Sequence, residues 1–506
     1  MTDYLFRNGS ILDGNGGEPV HADILTHGKR IERVGLGLTD LGATIVDCAG
    51  LTLSPGFIDS HTHSDLQVIE GRTEKLRQGV TTEVVGNCGF SAYPPARDPA
   101  DLRSFANGIF CGNKEWGWTS TEAYLHAVEQ SQTANVVSLV GHGSLRIAVA
   151  GSRQGPLTEA EVSSMESLLA EALDAGAAGL STGLMYAPGS SAPTAELQRL
   201  CNVTARKGKI YTSHIRSYFS GLVDAVDEQI DLARHSGGRL QISHLQAVGA
   251  SNWHLQRVAI DKMEKARAEG VDVEFDCYPY VAGSSVLTQL LPQSALDGGL
   301  KQLMERLRAP RQRLAIRDEL ARSIPWRWSD VYISSVGSQA NLNAIGKTLP
   351  QIAEERGKEP ADVVLELLEE EEGDANMLCF NQSAENLRAS LQHPFSTIIS
   401  DGFYVKGRPH PRLHGTFPLL LGTYSREKGW LSLSEAVHKI TGKPAARYAL
   451  KDRGVLAPGY FADLVLFRAD AIDSPATYES PELAPLGIHS VYRNGESVTA
   501  LLSVSS

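Results

Sequence analysis

The chain has no run of apolar residues long enough to span a membrane. It also lacks a basic leader followed by an apolar stretch. Tyr4-Leu5-Phe6-Arg7-Asn8-Gly9 opens directly into strand-like sequence, which predicts no signal peptide. Cysteine is scarce, six in 506 residues, and none of Cys48, Cys88, Cys111, Cys201, Cys277 and Cys379 forms a C-x-x-C pair. Several lie in apolar runs, which argues for reduced thiols and a cytoplasmic location rather than a disulfide framework. Basic charge is not in excess. A net charge of −12 argues against a nucleic-acid surface. The acidic run Glu369 to Glu372 ends a helical pattern and reads as a solvated face. No internal repeat or low-complexity tract is evident. What remains is a chain too long for one ordinary core, so a large domain plus a smaller one is expected.

Both ends read as short strands and turns. Asn8-Gly9, Asp13-Gly14 and His27-Gly28 punctuate the first 54 residues, and the stretch from about Gly454 looks the same. Neither end has a core of its own. Residues 1–54 and 454–506 are therefore expected to form one small β-sandwich or β-barrel domain. The middle, 55–453, alternates strand and helix. Candidate strands are Gly56–Ser60, Thr81–Val85, Asn135–Val140, Ala178–Ser181, Lys209–Thr212, Arg239–Ser243, Asp272–Asp276 and Ser396–Ser400. Helical patterns run over Glu159 to Ala175, Leu222 to His235 and Trp253 to Glu269, each closing at glycine. Eight such strands predict an α/β fold, a parallel (β/α)₈ TIM-like barrel. The stretch from Tyr280 to Ser396 is too long for one crossover. It predicts an inserted lid subdomain at about 284–345, and leaves open whether Val331–Ser335 or Met377–Phe380 is a barrel strand.

Ligand-type side chains gather at the ends of these strands. His61-Thr62-His63 follows the apolar run Thr52 to Ser60. Cys88, His214, His244 and Asp401 end later strands. Singly, His214 is as readily a core histidine, and Cys88 a small buried residue. Catalytic residues of such barrels collect at the C-terminal ends of the strands, so the six together predict a metal site. Zinc takes nitrogen, sulfur and carboxylate ligands, and a catalytic zinc keeps one position for water.

The sequence resembles the amidohydrolase superfamily and, within it, the N-acyl-D-amino-acid deacylases (D-aminoacylases), over nearly the whole chain. Pro55-Gly56-Phe57-Ile58-Asp59-Ser60-His61-Thr62-His63-Ser64-Asp65 matches the superfamily's first-strand motif. Gly86-Asn87-Cys88-Gly89-Phe90-Ser91 is narrower: in this family a cysteine replaces the carboxylated lysine that bridges the metals. Val140-Gly141-His142-Gly143, Gly179 to Tyr186, Ser243-His244-Leu245, Tyr278-Pro279-Tyr280, Ser400-Asp401-Gly402, His410-Pro411-Arg412 and Gly415 to Pro418 complete the match. The resemblance implies a tight zinc on Cys88, His214 and His244. It implies a second, weaker site lined by His61, His63 and Asp401, with Asp401 also the general base. It implies a clamp for a substrate carboxylate from Arg412, Tyr278 or Tyr280, and Ser284 or Ser285. His142 would either hydrogen-bond the scissile carbonyl or pack near the barrel top. Two positions depart from the pattern: Gln246 stands where many members have lysine, and Tyr218 where an acidic residue is usual.

The implied activity is zinc-dependent removal of the acyl group from N-acyl-D-amino acids, with a small-molecule substrate and no nucleic-acid or membrane partner. The alternatives are hydrolysis of another linear or cyclic amide without a free carboxylate, as in dihydropyrimidinases, a deaminase, and a non-catalytic scaffold. The segment Gly179 to Tyr186 has no lysine, unlike the dihydropyrimidinase pattern. A deaminase gives Cys88 no evident role. A scaffold would be expected to lose ligands, and all six positions keep them.

Overall fold

The computed structural model describes residues 2–111, 116–323 and 327–502. Its centre is an eight-stranded parallel sheet curled into a nearly closed barrel. The strands are β1 (Phe57–Asp59), β2 (Val80–Val85), β3 (Asn135–Gly141), β4 (Gly179–Gly183), β5 (Ile210–His214), β6 (Arg239–Ile242), β7 (Val273–Cys277) and β8 (Ser396–Ile398), in consecutive order. All are short, and β1, β2, β4, β5, β7 and β8 are buried along their whole length. That is the pattern of strands covered on both faces.

Helices return the chain between strands. Glu159–Asp174 starts at a capping box, Thr158 with Glu161, and Leu222–Ser236 stops at left-handed Gly237. The barrel closes where β1 meets β8. Asp401 N donates to His61 O and His63 N to Gly402 O, both at 2.9 Å. Beneath them the buried Lys75 ammonium bonds Asp59, Ser400 and Thr62, and Asp59 Oδ1 also accepts from Ser400 N at 3.0 Å.

Both ends of the chain build one eight-stranded mixed sheet beside the barrel. Thr52–Pro55 lies within it, parallel to Tyr4–Ile11 and antiparallel to Leu464–Phe467. It runs on into β1, so this sheet anchors the strand that carries His61 and His63. Glu496–Ser497 supplies the last strand on the C-terminal side.

The long segment between β7 and β8 holds its own three-stranded antiparallel sheet, with Ala375–Cys379 between Gly283–Val286 and Val331–Val336. Neither late apolar run is a barrel strand. Ala375–Cys379 is the fully buried middle strand of this sheet, and its core reaches from Leu287 to Cys379. The inserted unit therefore continues past 345. Gly283–Val286 places Ser284 and Ser285 over the barrel mouth.

Candidate active site

The loops that leave the strands turn sharply. Cys88, His244 and Asp401 all have positive φ, at 52°, 33° and 50°. Non-glycine residues rarely adopt this region, and such strain collects at functional sites. The turn that presents Cys88 is crowded. A Cβ on Gly86 would sit 2.2 Å from Leu139 O, and one on Gly89 2.7 Å from Gly183 N. Both glycines also have φ of +79°, so only glycine fits on either side of Asn87-Cys88.

These turns bring six side chains together. Cys88 Sγ lies 3.2 Å from His61 Nε2 and 3.5 Å from His244 Nε2, and His214 Nδ1 is 3.1 Å from His244 Nε2. Asp401 Oδ1 is 3.3 Å from His63 Nε2 and 3.4 Å from His61 Nε2. Three triads, His61/His63/Cys88, Cys88/His214/His244 and His61/His244/Asp401, each have their ligand atoms within 4.8 Å of one another. Four ligands around a zinc at the usual bond lengths stand about 3.3–3.6 Å apart, so these spacings suit one.

The electrostatics agree. Burial works against the Cys88 thiolate, but the charge of His61 and hydrogen bonds from His214 and His244 hold its pKa well below that of a free thiol. Burial likewise opposes the ionised Asp401. The Arg412 guanidinium and the His63 hydrogen bond prevail, and its pKa is well below the usual carboxylate range. Against the same burial, Cys88 and Asp276 hold His61 well above a normal imidazole, and Asp401 and Cys88 hold His63 at about 9. A divalent ion in place of the His61 and His63 protons would balance the same thiolate and carboxylate, and this thiolate, imidazole and carboxylate donor set fits one.

One cavity of about 90 Å³ contains His63, Cys88, His214, His244 and Asp401 together with Gln246, Tyr278, Ser284, Ser285 and Arg412. Arg412 is 1% exposed. Its Nη1 lies 2.9 Å from Asp401 Oδ2, and the guanidinium sits over the Tyr278 ring at 4.8 Å. Yet Nε and Nη1 make no directed hydrogen bond among the described residues. Tyr278 donates its OH to Gln246 Oε1 at 2.8 Å and accepts from Gln382 Nε2 at 2.6 Å.

A model of the amidohydrolase family matches residues 44–499 of this sequence. The chain belongs to the amidohydrolase family. It is 36% identical to a D-aminoacylase of Alcaligenes xylosoxydans xylosoxydans, over 98% of this chain and 94% of that protein. It is 34% identical to an N-acyl-D-aspartate deacylase of the same organism, over 98% and 92%. The crystal structure of an N-acyl-D-glutamate deacylase from Bordetella bronchiseptica, complexed with zinc and a phosphonate mimic of the tetrahedral intermediate, superposes with a TM-score of 0.85. It shares 33% identity and covers 98% of this chain and 96% of that one. The protein is thus a metal-dependent amidohydrolase of the D-aminoacylase family, acting on carbon–nitrogen bonds other than peptide bonds.

Two expected site residues of this amidohydrolase lie outside the cavity. His142 opens the helix His142–Ala150 and is fully buried, with Nε2 2.8 Å from Glu196 Oε1. Burial lowers its pKa despite Glu196, and Arg146 bonds the same carboxylate. Its Nε2 belongs to an internal ion cluster with Glu196 and Arg146, and the ring is not part of the cavity lining. Tyr280 turns away too: its ring meets His410 edge-on at 4.9 Å, so of the tyrosine pair only Tyr278 faces the cavity.

Two positions escaped the sequence reading. Asp276 in β7 touches His61 Nδ1 at 3.5 Å and accepts from His244 N at 2.5 Å. It sits near a strand end, the same signal that marked the other six. Lys75 lies in a turn before β2, and nothing local marks its place under the seam. The departure at Tyr218 is filled by packing. Its ring abuts His214 at 5.0 Å and its OH donates to Ser243 O at 3.0 Å. No helix among the described residues is long and apolar enough to cross a membrane.

Proposed function

We propose that this amidohydrolase removes the acyl group from N-acyl-D-amino acids, giving a carboxylate and a D-amino acid. The observation that carries the reading is Arg412. The guanidinium is buried in the metal-ligand cavity with Nη1 against Asp401, Nε without a partner and Nη2 only 3.5 Å from Ser284 O, which leaves the Nε–Nη2 edge to receive an anion bidentately. The names of the relatives, all deacylases of D-amino-acid derivatives, support the same class.

Cys88, His214 and His244 would hold one zinc tightly, and His61, His63 and Asp401 would line a weaker second site. When bound, zinc lowers the pKa of water to about 7 and polarises the amide carbonyl. The ionised Asp401 takes the proton of the attacking water. The water oxygen bonds the carbonyl carbon, the carbon–nitrogen bond breaks, and Asp401 delivers the proton to the leaving nitrogen. Arg412 and the hydroxyls of Ser284 and Ser285 hold the substrate carboxylate. Tyr278 fixes the Gln246 amide by its oxygen, which turns the NH₂ end away from Tyr278. Asp276 orients His61.

The test is hydrolysis of N-acetyl D- and L-amino acids beside the matching carboxamides, by enzyme of measured zinc content. The expected result is about one zinc per chain and a preference for free D-acids. Good cleavage of neutral amides with every free N-acyl amino acid ignored would refute it.

A further inference from the structure

A second cavity adjoins the first. It lies between the loops after β2 and β4 and the inserted unit, and the two share Ile109, Met185, Tyr186 and Gln289. Tyr186 links them. Its ring lies 4.7 Å from that of His214 on one side and meets Phe90 edge-on at 5.1 Å on the other. Phe90 stacks on Phe105 at 4.5 Å, and Ile147, Val286, Leu296 and Leu300 continue an apolar wall. Among the described residues its lining holds no Asp, Glu, Lys, Arg or His. Its volume is about 90 Å³. One water needs about 10–15 Å³ on this scale, so there is room for a file of several heavy atoms.

Direction decides what enters. Asp401, which protonates the leaving nitrogen, and Arg412, which anchors the carboxylate, touch each other. The amino-acid half of the substrate therefore lies on the β8 side. The acyl half lies on the far side of the scissile carbonyl, where the uncharged cavity opens. We propose that this cavity takes a straight-chain aliphatic acyl group of about four to eight carbons, as its volume allows. The inference rests on the deacylase reading above and adds the acyl class.

The test is kcat/KM for the N-acetyl, N-butyryl, N-hexanoyl and N-octanoyl derivatives of one D-amino acid. Burying a methylene favours the longer chain by up to about fourfold, so the wild type should gain about two- to fourfold per methylene until the cavity is full. Ser104→Phe and Thr288→Phe, whose parent residues line this cavity and not the metal-ligand one, should flatten the series. Phe105→Ala should move its optimum to longer chains, and the wild-type slope stands even if a filling variant does not fold. A flat or falling wild-type series with brisk N-acetyl hydrolysis overturns the acyl assignment and leaves the deacylase reading intact. If the filling variants instead alter a series that varies the D-side chain with acetyl fixed, the cavity holds the side chain and the assignment is wrong. No hydrolysis at any chain length overturns the deacylase reading itself.

Discussion

Replacing Arg412 by methionine removes two things at once, and they can be measured apart. The first is the carboxylate anchor. Charge-assisted hydrogen bonds contribute about 1.5–3 kcal/mol each, so a bidentate pair contributes about 3–6 kcal/mol. Loss of kcat/KM for N-acyl-D-amino acids should then be about 10²- to 10⁴-fold. The second is the field on Asp401, where Arg412 is the strongest influence opposing burial. Without it the Asp401 pKa rises, so the acid limb of the kcat profile moves to higher pH for every substrate, including neutral carboxamides. Arg412→Lys keeps the charge and loses the planar fork. It should leave the acid limb near its wild-type position while still costing about tenfold on carboxylate substrates. Steady-state kinetics of the three enzymes on an N-acyl-D-amino acid and its carboxamide, across pH, check both parts. If Arg412→Met loses equally on acid and amide and the acid limb stays put, the guanidinium neither binds substrate nor tunes the base.

Cys88→Ala should leave the purified protein with well under one zinc and no turnover while its far-ultraviolet circular dichroism is unchanged. Full occupancy with activity would remove the thiolate from the tight site. Gln246→Lys adds a charged donor beside Tyr278, and KM for free acids should fall about fivefold, the step from a neutral to a charge-assisted bond. An equal change for carboxamides would place Gln246 outside the clamp. His414 has its pKa pushed down to about 4, by burial first and then by Arg72, Arg77 and Lys75, against the opposing pull of Glu74. The unfolded chain, with histidine near 6.5, therefore binds the extra proton first. Stability contributed by neutral His414 is complete above about pH 6.5 and is lost as pH falls toward 4. Tm measured from pH 7 to 4 should decline less steeply in His414→Gln, and a matching slope would contradict this account.

The barrel was legible because short strands rich in Val, Ile and Thr alternate with helical patterns, and the cluster of six ligand-type side chains because each follows such a strand. Composition could not separate Ala375–Cys379 from a barrel strand: a buried antiparallel middle strand carries the same residues. The choice within the tyrosine pair stayed open for a geometric reason. Tyr278 and Tyr280 are two residues apart in an irregular loop after β7, where strand alternation no longer decides which ring faces inward. His142 was equivocal because its partner, Glu196, lies 54 residues away. Lys75 was invisible because its partners, Asp59 and Ser400, lie 341 residues apart in the sequence and meet only where the first strand joins the last.

The meeting of β1 and β8 bears on the order in which the molecule matures. Cys88, His214 and His244 all leave strands that precede the inserted unit, so this trio can assemble before the last quarter of the barrel docks. Asp401 joins His61 and His63 only across a seam whose partners, such as Thr62 and Gly402, are 340 residues apart. On the proposed assignment, a chain caught during synthesis, with β8 still in the ribosome, should already hold a metal and yet have no base, because Asp401 arrives with the final strand. The same assignment ties hydrolysis to completion of the ring, so that partial chains should bind zinc without cleaving amides.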